Sequence, residues 1–354
     1  MGLSRADLPP AIAATIAAGT VIPAHPLALT RGRTLDQRRQ RALARYYLDA
    51  GSGGLAVGVH TTQFAIRAHG LYARVLEIAA DEARSWVDRP VAMVAGAIGD
   101  TRQAVREAAV ARGLGYHAVL LGLAQLASAS DDELVAHCRA VAAEMPLCGF
   151  YLQTAVGGRV LSARFWERFA AIDNVVAIKI APFNRYRTLD VVRGVVAARA
   201  EDRVALYTGN DDHIVLDLLS RYAIPRGGER VRVRIAGGLL GHWSVWTKRA
   251  CELFARIAEA RDAASIGSEW LALDAAVTDC NAAVFDVAND FAGCIAGCHE
   301  VLRRQGLLDG IECLAPAETL GPGQAVEIDR VHRAYPELND DAFVAANLGR
   351  WLDG

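Results

Sequence analysis

The chain has 354 residues, 53% hydrophobic and 22% charged, with a formal net charge of -2. That length suits one large barrel-type domain or two ordinary ones, either with a substantial buried core. The near-neutral balance gives no bias toward nucleic acid or an anionic membrane, so small molecules are the expected partners. Seven cysteines, at 138, 148, 251, 280, 294, 298 and 313, are odd in number and scattered without a CxxC, a pattern that suits reduced thiols. The opening MGLSRADLPP lacks a basic region followed by an apolar run, and no apolar stretch approaches the span of a bilayer. A cytoplasmic protein is expected.

An N-terminal helix leads to residues 19–29 (GTVIPAHPLAL), which read as a strand ending in a proline-punctuated loop. Residues 34–49 carry helical spacing, with Leu35, Ala42, Leu43, Tyr46 and Tyr47 on one side. The unit then repeats. Strand 54–59 is followed by helix 68–87, and strand 90–97 leads through Asp100-Thr101, an N-cap, to a helix ending at 113 or 115. Strand 117–122 precedes helix 131–144, strand 147–152 helix 163–172, strand 175–180 helix 188–200, strand 204–209 helix 212–222, and strand 231–236 helix 242–257. These eight strands read as continuous apolar runs, the signature of parallel strands covered on both faces. No G-x-G-x-x-G follows an early strand, which disfavours an open nucleotide-binding sheet. The expected architecture is α/β: a (β/α)8 TIM barrel over residues 1–260 with additional C-terminal helices over 261–354, packed on the barrel or on a neighbouring subunit. Within that tail, 260–306 is expected to be helical, 314–324 to be a Pro/Gly-bearing connection and 340–352 a last helix.

Of 38 basic residues only two, Lys179 and Lys248, are lysine. Lys179 sits inside the apolar run VVAIKIAP (175–182). An ammonium there is costly to bury charged, and a neutral lysine is a nucleophile toward carbonyls where a guanidinium is not. Active sites of such barrels lie at the C-terminal ends of the strands. Lys179 falls near the end of the sixth strand, Tyr151 near the end of the fifth, and His60-Thr61-Thr62 just past the second. Each also has a plainer reading: a lysine snorkelling to solvent, a core tyrosine with its hydroxyl tied to backbone, and ordinary loop hydroxyls.

The motifs GLAVGVHTT (54–62), GFYL (149–152) and NVVAIK (174–179), in this order and spacing, resemble the dihydrodipicolinate synthase and N-acetylneuraminate lyase superfamily of class I aldolases. The likeness runs from about residue 19 to 258. It implies an imine between Lys179 and the ketone of a 2-oxo acid, with Tyr151 as proton shuttle, Thr61 hydrogen-bonded to that phenol, and Thr62 with nearby amides holding the carboxylate. It further implies substrate contacts at Gly209 and Asn210 after strand seven, and the strand ends add His60 after strand two and Gly237 after strand eight as expected substrate contacts. It implies no cofactor or metal, and a homo-oligomer, dimer or tetramer. The departures are specific: His60 stands for the family's glycine, Gln63-Phe64 for its Gly-Glu, and 121–126 (LGLAQL) carries no tyrosine for a neighbouring subunit. Val156 stands about where dihydrodipicolinate synthases carry a carboxylate-gripping arginine, with Arg159 three residues on. Phe183, Asn184 and Arg185 reshape the substrate end, the last two being offered for a hydroxyl or an acid.

The expected function is therefore a Schiff-base-forming lyase, aldolase or dehydratase, acting on a small 2-oxo acid. Two alternatives stay open: a lapsed member serving as a small-molecule binding or regulatory protein, and a metal-dependent barrel hydrolase using His25, His60, His242 and Asp211.

Overall fold

Strands built from apolar runs with no polar alternation must be covered on both faces, and helices supply that cover. A computed structural model describes residues 2–354. In chain order it contains α1 (Pro10–Ala18), β1 (Val21–Pro23), α2 (Gln37–Ala50), β2 (Gly54–Val57), α3 (Tyr72–Ser85), β3 (Ala92–Ala97), α4 (Thr101–Gly113), β4 (Ala118–Leu121) and α5 (Asp131–Ala142). It continues with β5 (Leu147–Leu152), α6 (Ala163–Ala170), β6 (Val175–Ala181), α7 (Arg185–Ala197), β7 (Ala205–Thr208), α8 (Ile214–Leu219), β8 (Arg221–Arg226), β9 (Glu229–Leu240) and α9 (Thr247–Ala260). Four helices close the chain: α10 (Glu269–Val284), α11 (Cys294–Arg304), α12 (Gln324–Ala334) and α13 (Asp341–Asp353). Eight parallel strands, each followed by a helix, with these C-terminal helices, make the fold a (β/α)8 TIM barrel. Among the described residues no helix is long and apolar enough to cross a membrane.

The backbone forms two compact units, a division that runs through the strand set rather than at residue 260. The first comprises the N-terminal segment to Thr20 and Ala92–Leu239. Its strands run in the order β9-β7-β6-β5-β4-β3, all parallel, and every residue of β3, β4 and β6 is buried. The register sets Phe150 beside Lys179, Lys179 beside Tyr207, and Tyr207 beside Gly237. Helix starts are fixed by side chains that satisfy otherwise unbonded amides: Asp100 caps α4, as expected, Ser130 caps α5 with a capping box, and Ser162 caps α6. The second unit comprises Val21–Val91 and Leu240–Gly354. There the chain just past β1 bridges β2 in parallel at Ala24 and Ala56, and α2 packs on α3, α9 and α13.

Two stretches depart from expectation. The helix expected over 212–222 ends at Leu219, and the chain turns into β8, which pairs antiparallel with the outer half of β9. The two strands are joined by Gly227-Gly228, both at positive φ, as a two-residue hairpin turn of the favoured twist requires. In the tail, α12 follows the 314–324 connection directly, where no helix was expected.

Candidate active site

In the first unit, Lys179 is 7% exposed on a strand whose every residue is buried. Its Nζ lies 4.6 Å from the centre of the Phe150 ring, over the face where the π-system is negative. Gly209 makes room for its stem: a Cβ at 209 would stand 2.5 Å from Lys179 Cε and 2.8 Å from the Ala181 Cβ. Cys148, two residues before Phe150, is buried, which pushes its thiol up to about 12 and keeps it protonated. Tyr207 is in register with Lys179, and its hydroxyl donates to Ile16 O at 2.9 Å.

The structure does not bring Tyr151 to Lys179. Successive side chains of a strand point to opposite faces, so only one of Phe150 and Tyr151 can share the face of Lys179. That one is Phe150. A Cβ at Gly149 would meet the Phe169 ring at 2.7 Å and Trp166 at 3.1 Å, so 149 and 151 face α6. Tyr151 packs on Trp166 at 5.3 Å, and its hydroxyl donates to Leu161 O and accepts from Leu161 N, each at 3.1 Å. The phenol is thus tied to backbone at Leu161, on the α6 side of the strand.

Other candidates of this unit are committed elsewhere. The Asn210 amide is fully engaged: its Oδ1 accepts from Phe183 N, and its Nδ2 donates to Thr188 Oγ1 and Asp217 Oδ2. Thr208 Oγ1 also donates to Asp217 Oδ2, at 2.7 Å, and Arg185 reaches Asp217 at 3.5 Å and Asp212 at 3.3 Å. Burial pushes the Asp217 carboxyl up, opposed first by Arg185 and then by Asn210 and Thr208. Asn210 and Arg185 therefore belong to a network centred on Asp217. That network holds Phe183 at a φ of 50°, a strained backbone just past β6. Gly237 is required by backbone proximity, since a Cβ there would lie 2.4 Å from Thr20 N. Asn184 is the N-cap of α7, and Arg159 clips the connection after β4 through Leu126 O and Ala129 O.

In the second unit, Thr62 Oγ1 donates to His25 O at 2.6 Å and accepts from Gly58 N at 3.0 Å, so the hydroxyl expected to hold a carboxylate braces the turn after β2. Thr61 is buried, and its hydroxyl makes no hydrogen bond among the described residues. His60 is partly exposed and lies edge-on to Phe64 at 5.8 Å. Gln63, at a φ of 67°, accepts from Leu314 N at 2.6 Å through its side-chain oxygen, which anchors the C-terminal segment. His25 is fully buried, with Nδ1 2.8 Å from Pro26 O, and burial lowers it to about 4; His242 is lowered likewise. Both are neutral imidazoles near pH 7. Among the described residues, no three His, Cys, Asp or Glu side chains come together to hold a metal ion.

Sequence reasoning missed Phe150 and the Thr208–Asp217 pair. A usable signal for Phe150 was present in Gly149, whose lack of a side chain marks the face pressed against a bulky helix. Comparison with known proteins agrees with the architecture. The model of the dihydrodipicolinate synthetase family matches residues 18–223. No curated protein matches. Among solved structures, the chain is similar to CdNal from Clostridium difficile in complex with mannosamine, with a TM-score of 0.71 and 16% identity over 90% of this chain and 99% of that one. It is similar to dihydrodipicolinate synthase from Oceanobacillus iheyensis, with a TM-score of 0.72 and 16% identity over 89% and 95%. The chloride-inhibited dihydrodipicolinate synthase from Acinetobacter baumannii complexed with pyruvate gives 0.69 and 20% over 91% and 99%. At these identities the likeness shows the fold.

Proposed function

The chain belongs to the dihydrodipicolinate synthetase family, and from that premise we propose that it is a class I, Schiff-base-forming lyase acting on a small 2-oxo acid through Lys179. The observation that carries this reading is a lysine amine, in a chain with only one other lysine, buried near the end of β6 with an aromatic face beside it. Nζ bonds to the keto carbon, the keto oxygen leaves as water, and the resulting iminium draws electrons from the bond at C3, which then breaks or forms. The Phe150 face favours positive charge on that nitrogen, by about 0.5–2 kcal/mol in a desolvated setting. Gly209 gives the stem the space to approach a substrate.

A second reading, binding without turnover, is favoured by Phe150 itself: the strand-five ring beside Lys179 has no hydroxyl, and Tyr151 faces α6. Incubating the protein with pyruvate and a panel of larger 2-oxo acids, reducing with borohydride and weighing the intact protein tests the lyase reading. A mass increase equal to one reduced acid is expected with at least one of them, together with release of a cleaved or dehydrated product before reduction. An adduct without product supports the binding reading, and no adduct across the panel overturns both.

A further inference from the structure

The β8–β9 ribbon has two unlike faces. Tyr222, Ile224, Val231 and Val233 are partly or fully buried, and the ribbon packs on α7, to which Arg226 donates at Val196 O, 2.9 Å. The other face carries Arg221 opposite Arg234, Ala223 opposite Arg232 and Pro225 opposite Arg230. Arg230 and Arg232 are exposed and make no ion pair or side-chain hydrogen bond among the described residues. We propose that this outer face docks an acidic segment of another protein in extended conformation, with its carboxylates on the β9 arginine row.

Residues 230, 232 and 234 stand about 6.8 Å apart along the strand, the same spacing that alternate side chains of an extended peptide have. The opposing Ala223 and Pro225 are low, so a chain lying along β8 can meet the guanidinium groups from the side. β9 joins β7 only from Ile235 on, so residues 230–234, which carry the row, belong to the two-stranded part of the ribbon. The family match also ends at residue 223, inside β8, so the row lies beyond the matched region. An acidic protein segment fits better than a nucleic acid or a membrane. The face has no aromatic ring on which a base would stack, Tyr222 lying on the opposite side, and no large apolar side chain to enter a bilayer. With the whole chain at -2, the attraction is local to the ribbon.

Fluorescence anisotropy of the full chain with a labelled peptide of alternating glutamate and serine tests this independently of the lyase reading. Binding is expected at low salt, weakening as salt is added, and absent for the glutamine analogue. The double variant Arg230→Ser/Arg232→Ser should bind about tenfold more weakly, whereas Arg102→Ser, at an exposed arginine of α4, should bind like the native chain. Thermal unfolding of the double variant at the native temperature shows that the ribbon is intact. Absence of binding, equal binding by the double variant, or tighter binding of single-stranded DNA or phosphatidylglycerol vesicles through the same arginines would overturn the proposal.

Discussion

A chain that uses arginine almost everywhere keeps lysine at 179, where the stem threads past Gly209 and the amine meets the Phe150 ring. Gly209→Ala puts a methyl 2.5 Å from Cε, so the stem must move; trapping by 2-oxo acids should fall at least about tenfold, with a stability loss of about 1–3 kcal/mol from overpacking. Undiminished trapping in that variant would show that the stem adapts freely. Tyr151→Phe removes one donor and one acceptor at the Leu161 backbone, with an expected cost of about 1–2 kcal/mol in denaturant unfolding and an adduct yield like that of the native chain. Loss of turnover at unchanged stability would instead identify Tyr151 as a proton shuttle. Lys179 was legible because composition and an apolar run agree on it. The face of Tyr151 was not: in a strand covered on both sides the sequence has no polar alternation, and two neighbouring aromatics differ only by register.

At the scale of elements, Asp340 joins three segments of the second unit. Its Oδ2 accepts from Tyr46 of α2 at 2.7 Å and from Lys248 N of α9 at 3.0 Å, and Oδ1 from Gln305 just past α11 at 2.8 Å. Asp340→Ala removes the acceptor of the buried Tyr46 hydroxyl and of the part-buried Lys248 amide, while Gln305 keeps Asp341 Oδ1 at 2.8 Å, and it should cost about 2–4 kcal/mol by urea denaturation; a change below about 0.5 kcal/mol would mean that water replaces the carboxylate. No local signal in the sequence marks Asp340, since its partners come from residues 46, 248 and 305. The β8–β9 hairpin was not expected, although RVRVR (230–234) alternates with period two after Gly227-Gly228. The Ile-Val-Leu spacing of 214–219 ran the expected helix past its true end, and Pro322-Gly323 hid α12 by reading as a break rather than as its entry.

For the molecule as a whole, eight strand–helix repeats were readable from apolar runs and helical spacing, so the barrel was expected before its strand order was seen. Three buried histidines, His25, His242 and His299, each lowered to about 4 by burial, govern how acid acts on it. An exposed histidine titrates near 6.5. Between that value and about 4 the unfolded chain binds more protons than the folded one, so this contribution is fully present above pH 6.5 and is lost as pH falls. Each histidine gives a slope of about 1.4 kcal/mol per pH unit across that window. Asp217 and Asp340, raised by burial, act in the opposite sense. The urea midpoint is expected to fall between about pH 7 and about pH 5, and a flat or rising midpoint would contradict neutral buried imidazoles. The central claim rests on one nitrogen, and a chain with two lysines lets it be found cleanly. Borohydride reduction in the presence of the reactive 2-oxo acid, followed by peptide mapping, should place the added mass on Lys179 and leave the Lys179→Arg variant unlabelled. An adduct on Lys248, or one that persists in Lys179→Arg, would contradict the account.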